Sequence, residues 1–210
     1  MEKLYKTYTD IKNTIEKRVD EFKSIVQTKD IDKIHKELFF CILTPQSKAK
    51  ICWETVEFLN SKNLINKGSF KNISKALNRV RFNNNKARYI IRLRDNLQNG
   101  LKLTETILDK NISQEEKREW LVKNIKGLGY KEASHFLRNI GIGLELAILD
   151  RHILKNLLKY KVIKDIPKSL TKSKYLDFEK KMKSFSKKNN IPMPHLDLLF
   201  WYMETGEVFK

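Results

Sequence analysis

Punctuation is what this chain lacks: only seven glycines and four prolines are spread over 210 residues, and no stretch of strand length alternates apolar with polar side chains. Apolar residues recur instead at i, i+3, i+4 and i+7, the spacing of one helix face. Ala49, Cys52, Trp53 and Val56 share one such face. Ala133, Phe136, Leu137 and Ile140 share another, and Leu196, Leu199, Phe200 and Met203 a third. The chain is therefore predicted to be all-α, in about ten helices of ordinary length. Breaks are expected at Thr44-Pro45, Lys67-Gly68, Asn83-Asn84-Asn85, Asn99-Gly100, Gly127 to Gly129, Gly141 to Gly143, Pro167 and Ile191 to Pro194. No longer repeat is present, which argues against a solenoid.

Charge narrows the function classes. Forty-three Lys and Arg face 25 Asp and Glu, a formal net charge of +18. Such an excess repels itself unless a polyanion uses it, so nucleic acid is the expected partner. The longest apolar run, Leu38 to Leu43, is too short to span a bilayer. Met1 leads directly into charged, helix-like sequence with no signal-peptide pattern. Cys41 and Cys52 are the only cysteines, too few for a four-cysteine iron–sulfur or zinc site. A reducing, intracellular setting is expected.

The stretch "IKGLGYKEASHFLRNIG" joins a glycine-pinched turn to a helix opening with a lysine. A helix ending near Lys126, a short turn and a second helix from about Tyr130 make a helix–hairpin–helix. Gly127 and Gly129 let the backbone turn and approach another molecule, while Leu128 plugs the space between the helices. Unpaired N–H groups and the positive dipole end of the second helix suit a DNA phosphate. Lys131 lies in that first turn, where a cation is disfavoured and the free amine correspondingly favoured. A Schiff-base nucleophile needs the free amine; a phosphate contact is the alternative role. In "AILDRHIL", Asp150 stands where it can cap a further helix. Capping alone would explain an aspartate, yet hairpin, lysine and Asp-x-His together form a specific constellation.

Those segments, "KGLGYK" and "LDRH", resemble the helix–hairpin–helix DNA glycosylase superfamily in its glycosylase/lyase branch. "HLDLLFWYMETGEVFK" narrows the resemblance to the type-2 8-oxoguanine DNA glycosylases, mostly archaeal. It implies two helical subdomains, 33–132 and 1–32 plus 133–210, with a DNA and base pocket in the cleft between them. It implies excision of 8-oxoguanine and AP lyase nicking, with Lys131 attacking C1′ and Asp150 stabilising charge on the sugar. "FFCILTPQSKAK" resembles the superfamily's early helix pair, whose Gln-containing turn enters DNA where a base has flipped. Here Thr44 is expected to N-cap a helix with Pro45 at its first position and Gln46 exposed in the first turn.

The same resemblance assigns base recognition to Lys210 and its carboxylate. Asp197 and Trp201, spaced i, i+4, are expected to face away from the apolar stripe and join that pocket. Gly127, Leu128, Gly129, Gln46 and His152 are the DNA-binding candidates. Phe82, between basic residues in "RVRFNNNKAR", is either a wedge against the unpaired base or a core residue. Main-chain carbonyls of Lys123, Ile125 and Leu128 are candidates for a Na+ or K+ site; no iron–sulfur cluster or other cofactor is expected. The expected partner is double-stranded DNA containing 8-oxoguanine, met by a monomer in a prokaryotic cytoplasm. "AILD" departs from the superfamily's Gly-Pro before the aspartate. A glycosylase for another damaged or mismatched base, or a non-catalytic DNA-gripping module, would also carry the charge and the hairpin.

Overall fold

The computed structural model describes residues 1–210. They form twelve helices: α1 (Glu2–Gln27), α2 (Ile31–Leu43), α3 (Ala49–Ser61), α4 (Leu64–Lys67), α5 (Phe70–Ala76), α6 (Asn83–Gln98), α7 (Leu103–Leu108), α8 (Gln114–Asn124), α9 (Tyr130–Asn139), α10 (Arg151–Lys159), α11 (Lys172–Lys188) and α12 (Met193–Thr205). The all-α expectation holds. The excess over ten comes from short α4 and α7, which lie between the anticipated breaks. One expected break is displaced: Asn83, Asn84 and Asn85 form the first turn of α6, and the chain turns just before them at Phe82.

Two compact units result. Met1–Thr28 with Leu137–Lys210 make one, and Lys29–Phe136 make the other. The borders fall four residues from those read from sequence, at 28/29 and 136/137. No helix is long and apolar enough to cross a membrane.

In the contiguous unit, Lys29–Phe136, Leu38 to Leu43 are all buried. A helix segment that is apolar all round must be enclosed, and α3 and α6 pack against α2 to enclose it. Small polar residues set the helix starts. Asp30 accepts from Lys33 N at 3.0 Å, and Ser113 and Glu116 form a reciprocal capping box on α8.

In the discontinuous unit, α1 packs along α12. Leu4, Ile15, Val19 and Phe22 of α1 are buried, as are Leu196, Leu198, Leu199 and Phe200 of α12. Tyr160 stacks on Phe200 with ring centroids 5.7 Å apart. Truncating a residue such as Phe22 to Ala would cost about 3–5 kcal/mol, from lost transfer energy plus the cavity left behind. Gly141 meets α1 at close quarters. Its φ is +79°, and a Cβ there would lie 2.5 Å from Lys23 Cα. Backbone-on-backbone packing of that kind admits only glycine.

Candidate active site

The hairpin joins α8 to α9, both within the Lys29–Phe136 unit. Arg118, only 1% exposed, donates to Ser134 Oγ at 3.2 Å and lies over the Tyr130 ring. Tyr130 donates to Glu119 Oε1 at 2.5 Å. These ties, the first of them buried, hold the two helices together. Gly127 has φ +98°, and a Cβ would fall 2.6 Å from the Tyr89 ring. Gly129 has no such backbone demand; its N–H donates to Glu132 Oε2 at 3.3 Å, half of a capping box. Leu128 is buried, so its side chain fills the turn as expected.

Lys131 occupies the first turn of α9, with Nζ 3.7 Å from Glu132 Oε1. Its side chain is 21% exposed, open to a reactant yet largely sheltered. Glu132 thus answers both the hairpin amide and the amine beside it. Its place three residues after Gly129 is a capping-box spacing that sequence reading could have used.

Behind this turn lies Lys86, which the sequence did not single out. It is 3% exposed, and its Nζ donates to Leu43 O and Pro45 O, both at 2.7 Å, and to Ser47 Oγ at 3.1 Å. Burial pushes its pKa down to about 8. The carboxylate of Glu132 opposes that shift, while the Lys131 cation reinforces it. Cys52 donates Sγ–H to Leu43 O at 3.1 Å, and burial pushes its thiol up to about 11. A thiol so placed is inert.

Thr44 does not cap a following helix. It ends α2, donating its hydroxyl to Cys41 O at 2.9 Å, and α3 begins only at Ala49. A threonine hydroxyl can serve either neighbouring helix; here it bonds back to a carbonyl of the preceding one. Ser47 N donates to Thr44 O at 3.0 Å, closing a four-residue turn with Pro45 second and Gln46 third. Gln46 takes φ +55° and is exposed. Glycine normally fills the third place of such a turn, and another residue there costs about 1–2 kcal/mol. Phe82 repeats the pattern with φ +60° and 48% exposure, so it is not a core residue.

Asp150 belongs to the other unit. It caps α10, and one oxygen, Oδ1, accepts from both His152 N at 2.8 Å and Ile153 N at 2.9 Å, leaving Oδ2 outside the cap. The segment leading to it is pinned by α11. Glu179 accepts from Ala147 N at 2.8 Å, and Tyr175 OH donates to Ala147 O at 2.6 Å. His152 meets Trp201 edge-on, with ring centroids 5.0 Å apart. Both are half-buried, as is Lys210. Asp197 departs from expectation: it is buried and paired with Arg138 at 3.2 Å. Asp197 is buried because α12 is enclosed on most sides and leaves it no solvent-facing strip to occupy.

The carbonyls of Lys123, Ile125 and Leu128 lie at or just beyond the end of α8, where intrahelical donors run out and the helix dipole is negative. Ile125 O accepts from Leu128 N at 3.3 Å and keeps a second lone pair.

An all-α chain whose hairpin presents a sheltered lysine on a helix N-terminus is, by class, a helix–hairpin–helix protein. A family model described as 8-oxoguanine DNA glycosylase matches residues 15–191. An 8-oxoguanine DNA glycosylase/AP lyase of Fusobacterium nucleatum is 47% identical over 206 residues, covering 98% of this chain and 95% of its own. Among solved structures, the 8-oxoguanine glycosylase/lyase of Methanocaldococcus jannaschii, in complex with a 15mer DNA containing 8-oxoguanine, matches with TM-score 0.85 at 34% identity, covering 100% of both chains. The 8-oxoguanine DNA glycosylase of Thermotoga maritima matches with TM-score 0.87 at 29% identity, over 100% of this chain and 97% of that one. The chain belongs to the 8-oxoguanine DNA glycosylase family.

Proposed function

We propose that this chain excises 8-oxoguanine from duplex DNA and nicks the abasic strand, with Lys131 as nucleophile. The observation that carries the reading is Lys131 in the first turn after the hairpin, in a chain of this family. A base inside a duplex is out of reach, so it is flipped out at a cost of a few kcal/mol. Basic side chains and the hairpin main chain at Gly127, Leu128 and Gly129 hold phosphates and offset that cost. The main-chain carbonyls of Lys123, Ile125 and Leu128 would hold a Na+ or K+, which would add positive charge beside the hairpin. Gln46 fills the gap, Phe82 rests against the unpaired partner base, and His152 meets the backbone. Trp201 and Lys210 contact the oxidised base, and Asp197 acts through its ion pair with Arg138.

Lys131 Nζ attacks C1′ as the glycosidic bond breaks, and the departing base takes the bonding pair and a proton. The sugar ring opens to an imine. Loss of a C2′ proton then expels the 3′ phosphate, and water hydrolyses the imine to free Lys131. Asp150, with Oδ2 outside its cap, stabilises positive charge on the sugar. The protein works as a monomer on chromosomal DNA in a prokaryotic cytoplasm.

Borohydride trapping on a labelled duplex bearing one 8-oxoguanine, beside an undamaged duplex and the Lys131→Gln protein, tests this directly. A covalent adduct that needs both the lesion and Lys131 is the expected result. No adduct from a parent protein that still binds DNA would sink the mechanism and favour a DNA-gripping module or another lesion.

A further inference from the structure

Two exposed residues with left-handed backbones, Gln46 and Phe82, lie 36 positions apart in sequence (82 − 46), yet one buried residue, through its side chain and its main chain, bonds to both turns. Lys86 N donates to Phe82 O at 3.0 Å, the first helical bond of α6. Its Nζ donates to the carbonyl of Leu43, just before the Gln46 turn, and to that of Pro45, within it. Ser47 Oγ closes the circuit, accepting from Lys86 Nζ at 3.1 Å and from Arg81 N at 3.0 Å. We infer that Lys86 is a positioning residue that locks the Gln46 and Phe82 turns into a single two-pronged wedge for lesion recognition. The inference rests on the reading that both prongs meet DNA.

The physical case is one of matched geometry. An ammonium carries three donors on a compact centre and here finds three acceptors. The carbonyls belong to the end of α2 and the turn after it, where helix partners have run out. A turn that places a non-glycine residue at positive φ reverts to an easier conformation unless its surroundings over-determine it. Lys86 and Ser47 supply that constraint and pass it from one turn to the other. Misplacement by about 1 Å can cost on the order of a hundredfold in rate, so such support matters.

Single-turnover excision of 8-oxoguanine is measured beside borohydride trapping on a preformed abasic duplex, for Lys86→Met, Gln46→Ala, Phe82→Ala and the double variants. Melting curves confirm that each is folded. Lys86→Met is expected to slow excision about tenfold or more, while abasic trapping falls by less than about threefold. Adding Gln46→Ala to Lys86→Met should cost little more, because the first change has already released the prong. Ser47→Ala keeps both carbonyl bonds of Lys86 and should give a smaller loss with the same non-additivity. It also serves as the test if Lys86→Met does not fold. Equal loss of excision and trapping, or additive double variants, would overturn the inference while leaving the proposed function standing. Wild-type excision by both Gln46→Ala and Phe82→Ala would overturn the reading beneath it as well.

Discussion

Two segments without helical hydrogen bonds carry proposed functional residues, and they are held by opposite chemistry. The Gln46 turn follows the C-terminus of α2 and exposes carbonyls to the interior; a buried cation, Lys86, answers them. The Gly143–Asp150 segment precedes the N-terminus of α10 and presents N–H groups; a buried carboxylate, Glu179, and the phenol of Tyr175 answer those. In each unit the sign of the buried group follows from which end of a helix the segment adjoins. A helix terminus therefore selects its support as well as its ligand.

The largest effect that would sharpen this contrast concerns Asp150, which both caps and carries charge. Asparagine caps as well as aspartate, so Asp150→Asn should leave the urea midpoint within experimental scatter. Excision should nevertheless fall on the order of a hundredfold, because the charge is gone. A midpoint drop matching the activity loss would show that capping was the whole role.

The next test is pH. Below about pH 8 Lys86 is charged in folded and unfolded chains alike, and the cost of burying that charge is fully present. Between about 8 and the ordinary 10.5, the unfolded chain still holds the proton that the folded chain has released, so this group's contribution to stability rises with pH. The stability of the wild type relative to Lys86→Met should shift toward the wild type by up to about 3 kcal/mol across that window. A difference flat in pH would mean that the three acceptors fully offset burial.

Glu179→Ala should cost about 2 kcal/mol in urea unfolding, from a buried N–H left without its charged acceptor. Tyr175→Phe, losing the two neutral bonds of its hydroxyl, to Ala147 O and from Leu149 N, should cost about 1 kcal/mol. A reversed order would break the claim that the carboxylate dominates this segment. The smallest effect is Gln46→Gly. Relief of the left-handed backbone should raise stability by no more than about 1 kcal/mol while lesion excision declines.

What could be read from sequence was local. Gly127 and the first-turn Lys131 are neighbours in the chain, and the Ala133 to Ile140 stripe is entirely buried. What could not be read depends on partners far off. Lys86 is one of 43 basic residues, and nothing in "NNNKAR" marks it as enclosed by carbonyls about forty positions earlier. Glu179 sits within a charged helix and still reaches Ala147. Thr44 and Asp197 misled because a hydroxyl has two directions to bond and a helix can be covered on most faces. The asparagines at 83–85 resemble a loop, yet they open a helix because Phe82 absorbs the turn.

The division into a contiguous unit and a discontinuous one bears on how the chain is made. Translation completes Lys29–Phe136 as an unbroken segment, so that unit can fold while synthesis proceeds. The apolar face of α1, with Leu4, Ile15, Val19 and Phe22, emerges long before α12, on which it packs. A growing chain therefore carries an uncovered amphipathic helix until α12 appears. That interval is when a chaperone would find it, and when premature release would leave it to aggregate.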